Sequence, residues 1–228
     1  MLSAIILAAG SGRRLGICVP KPLVKIDNKP AIIYSLETFN KHPGIDEIIL
    51  VASAQNKAAI IRLIKKRSFK KIKVLCLGGK RRQDSVYNGL KAVSVSSNWV
   101  LIHDCARPFI GTKLITKVIA AAKKSSAAIL GVPVKATIKS VKSGLVVDRT
   151  VDRSNLWEVQ TPQVFKKELI LKAYYRYAKE DFTDDASLVE KLGAKVKMVQ
   201  GSYENIKITT MEDLLLAEVI AKGGAYAK

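Results

Sequence analysis

The stretch Ser3-Ala4-Ile5-Ile6-Leu7-Ala8-Ala9-Gly10-Ser11-Gly12-Arg13-Arg14-Leu15-Gly16 decides the fold class. Ser3–Leu7 is apolar without alternation, as a strand buried on both sheet faces is. The glycines that follow let backbone N–H groups approach phosphate oxygens. Arg13, Arg14 and, after Pro20, Lys21 add positive charge beside them. A dinucleotide-binding loop needs Gly or Ala three residues after Gly12, where Leu15 stands, and an acidic residue at the end of a second strand. A Walker A loop ends in Gly-Lys-Ser/Thr, which is absent. Two readings stay open on these residues. One is a loop for a nucleoside triphosphate, whose charge suits three cations. The other is a tight strand-to-helix turn with exposed basic residues.

Outward from this loop, strand and helix alternate. Ala31–Phe39 reads as helix and Glu47–Val51 as strand. Ala54–Lys66 reads as a helix with Ile60, Ile61 and Ile64 on one side. Lys73–Leu77 is a strand, Asp84–Val93 a helix and Trp99–His103 a strand. Thr112–Lys124 is a helix and Ala127–Val132 a strand. This alternation predicts βαβ units in an α/β fold with a mostly parallel sheet. The rhythm breaks over residues 134–159. There Thr137–Val141 and Leu145–Val151, joined by Ser143-Gly144, read as a β-hairpin. Such a hairpin is either a dimerisation arm or a solvated excursion. Helices near Lys167–Ala178 and Ala186–Leu192, a strand at Lys195–Val199 and a last helix from Met211 complete one domain over 1–228.

Composition excludes several classes. The chain has 228 residues, 48% hydrophobic and 25% charged, which is globular composition. No window is apolar for the roughly 18 residues a spanning helix needs. The first residues read as a strand and not a signal peptide. Cys18, Cys76 and Cys105 have no paired spacing for disulfides or zinc, and His42 and His103 cannot build a histidine cluster. A cytoplasmic setting is the expectation. The formal charge of +20 suggests nucleic acid at first. The excess is regional, however: residues 48–83 and 105–147 are rich in Lys and Arg and hold no acid. Lysine dominates over the arginine forks that read bases, and no nucleic-acid-binding motif is present.

Two further segments carry chemistry. Gly78-Gly79-Lys80-Arg81-Arg82-Gln83-Asp84-Ser85 leaves a strand and opens a helix; Ser85 caps that helix or touches a base or phosphate. His103-Asp104-Cys105-Ala106-Arg107-Pro108 ends an apolar strand, where ligands sit in open α/β sheets. Asp104 there either holds a divalent metal, with Arg107 as its structural partner, or is a satisfied turn residue.

With these segments the chain resembles the 2-C-methyl-D-erythritol 4-phosphate cytidylyltransferase family. Leu7–Gly16 with Pro20-Lys21, Gly78–Leu90 and His103–Pro108 are similar to its first three motifs. Val151-Asp152-Arg153, Gln160-Thr161-Pro162-Gln163, Thr183–Ser187 and Asn205–Asp213 follow in the family's order. The resemblance implies a Rossmann-like, three-layer nucleotidyltransferase sandwich with a protruding β-arm. It implies CTP and a polyol phosphate as substrates, Mg2+ bound with CTP, partly through Asp104, and a homodimer joined by the arm. By position, Ala8, Ala9, Gly10, Gly12, Gly78, Gly79, Ser85, Asp104 and Cys105 would bind the nucleotide. Arg14, Lys21 and Lys207 would be catalytic. Arg107, Thr161 and Thr183 would bind the polyol phosphate, while Thr137 and Arg153, on the arm, would reach the partner's site. No nucleic acid or membrane is implied. Pro22, Cys105 and Met211 depart from the family's usual Gln, Ala and Pro. Ribitol 5-phosphate cytidylyltransferase shares the loop and fold and is the nearest alternative; a nucleic-acid-binding protein is the alternative of another class.

In the expected reaction a phosphate oxygen of the polyol attacks the α-phosphorus of CTP. That nucleophile is already an anion near neutral pH, so no general base is required. The task is positioning two polyanions and stabilising charge. Towards the C-terminus, Thr209 with Glu212 reads as a capping box for the last helix. Asp184 and Asp185 read as acids in a helix's first turn.

Overall fold

The computed structural model describes residues 1–10, 12, 15–16 and 19–223. Its centre is a seven-stranded sheet. Strands β1 (Leu2–Ala8), β4 (Glu47–Ala52), β5 (Ile72–Leu77) and β6 (Trp99–Asp104) run parallel. β7 (Ala127–Pro133) and β11 (Lys197–Gln200) pair in parallel beyond them, and β10 (Trp157–Lys166) lies antiparallel between β6 and β7. The spatial order is β11-β7-β10-β6-β1-β4-β5. A two-residue ribbon of β2 (Lys25–Ile26) and β3 (Lys29–Pro30) leads into the first helix.

Successive strand residues point to opposite faces, so β1 feeds two cores. Leu2, Ala4, Ile6 and Ala8 pack under α1 (Ala31–Lys41), α2 (Lys57–Lys65) and α4 (Thr112–Ser125). Ile5 and Leu7 pack under α3 (Arg82–Lys91), α5 (Lys167–Arg176) and α6 (Asp185–Lys191). This is the expected three-layer α/β sandwich. The apolar stripe of α2 is Ile60, Leu63 and Ile64, with Ile61 turned from the core. A third cluster joins Leu15, Val24, Ile26, Tyr34, Phe109 and Ile208 to Ala217 of α7 (Met211–Lys222), which closes the loop side of β1.

Most elements lie within a few residues of their expected bounds. The expectation lacked β10, a ten-residue strand in the middle of the sheet. Its register shifts between Gln160 and Gln163, where Thr161–Pro162 is a cis bond. A proline inside a sheet is tolerated at such an irregularity because no ladder N–H is needed there. The arm is present as a separate two-stranded sheet of β8 (Ile138–Val141) and β9 (Val147–Val151). Gly144 at its tip has φ +76°, a conformation open to glycine. The arm leaves the body between β7 and β10 and exposes Val141, Leu145, Val146 and Val147. Among the described residues no helix is long and apolar enough to cross a membrane.

Candidate functional site

From β1 the chain runs to β4 and β5 on one side, then returns to β6 on the other. The carboxyl ends of β1 and β6 therefore open a crevice at a switch of strand order, the place where open α/β sheets bind ligands. A cleft of about 720 Å³ lies there. Ala9, Gly10 and Gly12 line it from the first loop, Gly79 from the β5–α3 turn, Ser85 from the first turn of α3, and Asp104 and Cys105 from the end of β6. Lys21, Lys80, Arg81, Arg82 and Lys207 add cations, and Asp104 is the one carboxylate in the lining among the described residues. Ala8 and Gly78 stand behind this wall. The Ala8 carbonyl accepts from Asn56 Nδ2 at 2.7 Å. A Cβ on Gly78 would lie 2.7 Å from Ala9 Cβ and 2.7 Å from Ser85 Oγ.

Ser85 is not the helix cap. Its hydroxyl accepts the Gly79 N–H at 3.1 Å and donates to the Arg81 carbonyl at 3.2 Å, holding the glycine turn to α3. Asp84 caps instead, accepting the Arg81 N–H at 3.0 Å. Lys21 reaches across the cleft mouth and donates to the carbonyls of Ile208 and Thr209 at 3.0 and 3.4 Å. It thereby ties the first loop to the segment that carries Lys207.

Asp104 organises the floor. Its Oδ1 accepts from Arg82 Nε at 3.0 Å and its Oδ2 from Lys207 Nζ at 2.6 Å. Burial alone would raise this carboxyl, but Arg82 and Lys207 outweigh it and hold it well below the usual carboxylate range. Arg82 also donates to Asp185 Oδ2 at 2.9 Å, and Tyr174 OH donates to Asp185 Oδ1 at 2.5 Å. Burial opposes the Arg82 charge, and the two carboxylates restore it. Burial pushes the Cys105 thiol up, so it stays protonated. Neither Arg82 as a link nor Asp185 as its buried anchor follows from sequence order. The one hint was Arg82 in the second motif; Asp185 stands in the first turn of a helix as expected, yet it is fully buried.

A second cavity, of about 370 Å³, shares Arg82, Asp104 and Lys207 with the first. Thr161 and Arg107 line it from below, Thr183 and Asp184 from the α6 side. Thr161 Oγ1 accepts the Asp104 N–H at 3.1 Å and lies 3.1 Å from His103 Nδ1. Arg107 donates to the carbonyls of Asn205 at 2.7 Å and Val159 at 3.1 Å. Gln163, fully buried, donates to Asp184 at 2.7 Å and accepts the Ala186 N–H at 3.2 Å. Asp184 is the N-cap of α6 and accepts the Ser187 N–H.

The remaining expectations fall elsewhere. Arg14 lies outside the described residues. Thr137 and Arg153 sit at the root of the arm and line neither cavity of their own chain. Arg153 donates to the Lys135 carbonyl. The C-terminal capping box is one residue later than expected: Thr210 is the N-cap and Asp213 its partner, with Asp213 also accepting from Thr209. Lys207 is lifted towards Asp104 because Ile206 and Ile208 on either side of it turn into the third core. Among the described residues no three His, Cys, Asp or Glu side chains gather as a metal site.

Comparison with known proteins gives one consistent answer. Residues 2–223 match the family described as IspD, 2-C-methyl-D-erythritol 4-phosphate cytidylyltransferase. A protein of that name from Clostridioides difficile (strain 630) is 45% identical over 223 residues, 96% of this chain and 93% of that protein. The crystal structure of 4-diphosphocytidyl-2C-methyl-D-erythritol synthase from Anaerococcus prevotii superposes with a TM-score of 0.87 at 35% identity, covering 97% of this chain and 96% of that one. The 2-C-methyl-D-erythritol 4-phosphate cytidylyltransferase of Thermus thermophilus gives 0.80 at 31% identity, covering 97% and 100%.

Proposed function

The chain belongs to the 2-C-methyl-D-erythritol 4-phosphate cytidylyltransferase family, and from that premise we propose how its own side chains perform the transfer. The enzyme moves CMP from CTP to 2-C-methyl-D-erythritol 4-phosphate and releases pyrophosphate, a step of isoprenoid precursor synthesis. The observation that carries the proposal is the shared wall of the two cavities, Arg82, Asp104 and Lys207. CTP takes the larger cleft, with its phosphates over the Ala9–Gly12 loop, and the polyol phosphate takes the smaller. The two anions then meet at that wall.

An oxygen of the polyol phosphate forms a bond to the α-phosphorus, and the bond from that phosphorus to pyrophosphate breaks. Lys207 borders both cavities and is placed to hold the entering phosphate against the α-phosphate. Lys21 stabilises charge on the nucleotide side. Arg14 joins it by family position. Asp104 restrains Lys207 and Arg82 until phosphate oxygens replace it, so the cations are already in place when charge develops. His103 is fully buried with both ring nitrogens engaged by protein groups, so it takes no part in the transfer itself.

Mg2+ fits this site as an ion carried on the triphosphate. Both Asp104 oxygens are engaged by cations, so Asp104 alone is not a resident metal site. Phosphates plus one carboxylate are a usual magnesium set. Bound with CTP, the ion would supply positive charge that offsets the triphosphate, with Asp104 as the carboxylate beside it. The exposed valines and Leu145 of the arm support a homodimer in which Thr137 and Arg153 reach the partner's substrate cavity. Free thiols at Cys76 and Cys105 support a reducing, cytoplasmic setting.

Pyrophosphate release by the purified chain with CTP tests the whole. Release is expected with methylerythritol phosphate and not with ribitol 5-phosphate; release with ribitol phosphate alone would overturn the assignment.

A further inference from the structure

We infer that the buried imidazole of His103 fixes Thr161 as a hydrogen-bond acceptor towards the smaller cavity, so that this threonine reads a hydroxyl of the polyol and not its phosphate. The inference rests on the reading above, in which that cavity takes the polyol phosphate.

The protons can be assigned one by one. His103 Nε2 lies 3.0 Å from the Arg107 carbonyl oxygen. A carbonyl has only lone pairs, so Nε2 carries the hydrogen and donates. The ring has no exposed surface and its two nitrogens face uncharged partners, a carbonyl and a hydroxyl, so it is neutral and holds one N–H. Nδ1 is therefore a bare acceptor. Its partner at 3.1 Å is Thr161 Oγ1, which donates inward. The same oxygen accepts the Asp104 N–H at 3.1 Å. A hydroxyl owns one proton and two lone pairs. The proton and one lone pair are committed to the interior. Thr161 therefore turns a single lone pair to the cavity that it lines.

A phosphate oxygen brings only lone pairs to that position and is repelled. A substrate hydroxyl brings a proton and is bound. The phosphate is left to the cations Lys207, Arg82 and Arg107 around the same cavity. The ring cannot swing to reverse this polarity, because Phe39 packs against it with centroids 4.9 Å apart. His103 is thus a positioning residue that acts through Thr161.

The test pairs the substrate with each of its monodeoxy analogues. In the wild-type enzyme one analogue should lose about tenfold or more in kcat/KM, the cost of an unpaired buried acceptor. Thr161→Val should erase that loss for the same analogue and leave the others unchanged. His103→Leu frees the threonine proton to face the cavity and should weaken the same discrimination, with KM for CTP unchanged. His103→Asn, which keeps an acceptor near the Nδ1 position, should restore it. Equal losses in wild type and Thr161→Val for every analogue would overturn the inference, as would full discrimination in His103→Leu. If His103→Leu fails to fold, the Thr161→Val comparison decides alone. Absence of any transfer to methylerythritol phosphate by the wild type would overturn the functional reading and this inference with it.

Discussion

Mild acid should destabilise this protein through His103 before its carboxylates are titrated. The imidazole is enclosed by Phe39, Thr161 and the Arg107 carbonyl, with Asp104 and the Arg107 charge nearby. Burial is the largest influence and lowers its pKa from 6.5 to about 4, although Asp104 pulls the other way. In the unfolded chain the imidazole returns to about 6.5. Between these values the unfolded chain binds the extra proton, so stability falls as pH falls through that window. The displacement is worth about 3 kcal/mol. For a chain of this size that corresponds to a fall of about 6–12 °C in Tm from neutral pH to about pH 4. Thermal melts followed by circular dichroism at constant ionic strength measure it. His42 is also lowered, by burial and by Lys71, so the wild-type profile contains both histidines. The difference between wild type and His103→Asn isolates one of them. A His103→Asn profile as steep as the wild type's across that window would refute the reasoning. Asp104 acts in a separate range: its depressed carboxyl contributes stability above the unfolded value of about 3.9 and loses it below.

Other outcomes follow from the same geometry. Lys21→Ala and Lys207→Ala should each lower turnover by about 100-fold, the scale of one preorganised donor, in a steady-state pyrophosphate assay. Arg82→Leu strands the fully buried Asp185 and should cost about 3–5 kcal/mol in denaturant melts, whereas Arg82→Leu with Asp185→Leu should recover much of it. Gly79→Ala puts a Cβ 2.3 Å from Asp84 Cβ and should raise KM for CTP while KM for the polyol phosphate holds. Leu145→Asp with Val147→Asp on the arm should convert a dimer to monomers by light scattering and lower activity with it.

Legibility followed burial. β1 and β4 are buried throughout and β6 from Val100 onwards, and the apolar runs at their centres announce that directly. β10 hid because its middle, Gln160-Thr161-Pro162-Gln163, has the composition of a loop. Those polar residues are buried for the site's sake: Thr161 serves His103 and Asp104, and Gln163 serves α6. The nucleotide loop was readable because glycines and cations are close in sequence. Arg82 and Asp185 are 103 positions apart, and only the fold, which sets α3 and α6 on the same face of the sheet, joins them. The cap at Thr210 instead of Thr209 is a one-residue shift that sequence signals at helix ends do not resolve. Much of the regional charge stayed separate from the chemistry. Lys80, Arg81 and Arg82 from the first acid-free stretch line the cleft, while Arg62, Lys65, Lys66 and Arg67 are exposed on or just beyond α2.

The arm grows from one long hairpin whose two legs are β7 and β10, and this makes the chain divisible at its tip. Leu145 is 90% exposed and no strand of the central sheet runs through it. A break in the chain beside Gly144, introduced by expressing the two parts separately, disrupts no hydrogen bond of the seven-stranded sheet. The two fragments would stay joined by the ladder between β7 and β10 and by both cores. Each fragment carries part of the site: Asp104 and Lys21 on the first, Thr161 and Lys207 on the second. Split at that bond, the enzyme becomes a complementation pair in which reassembly and catalysis are read out together.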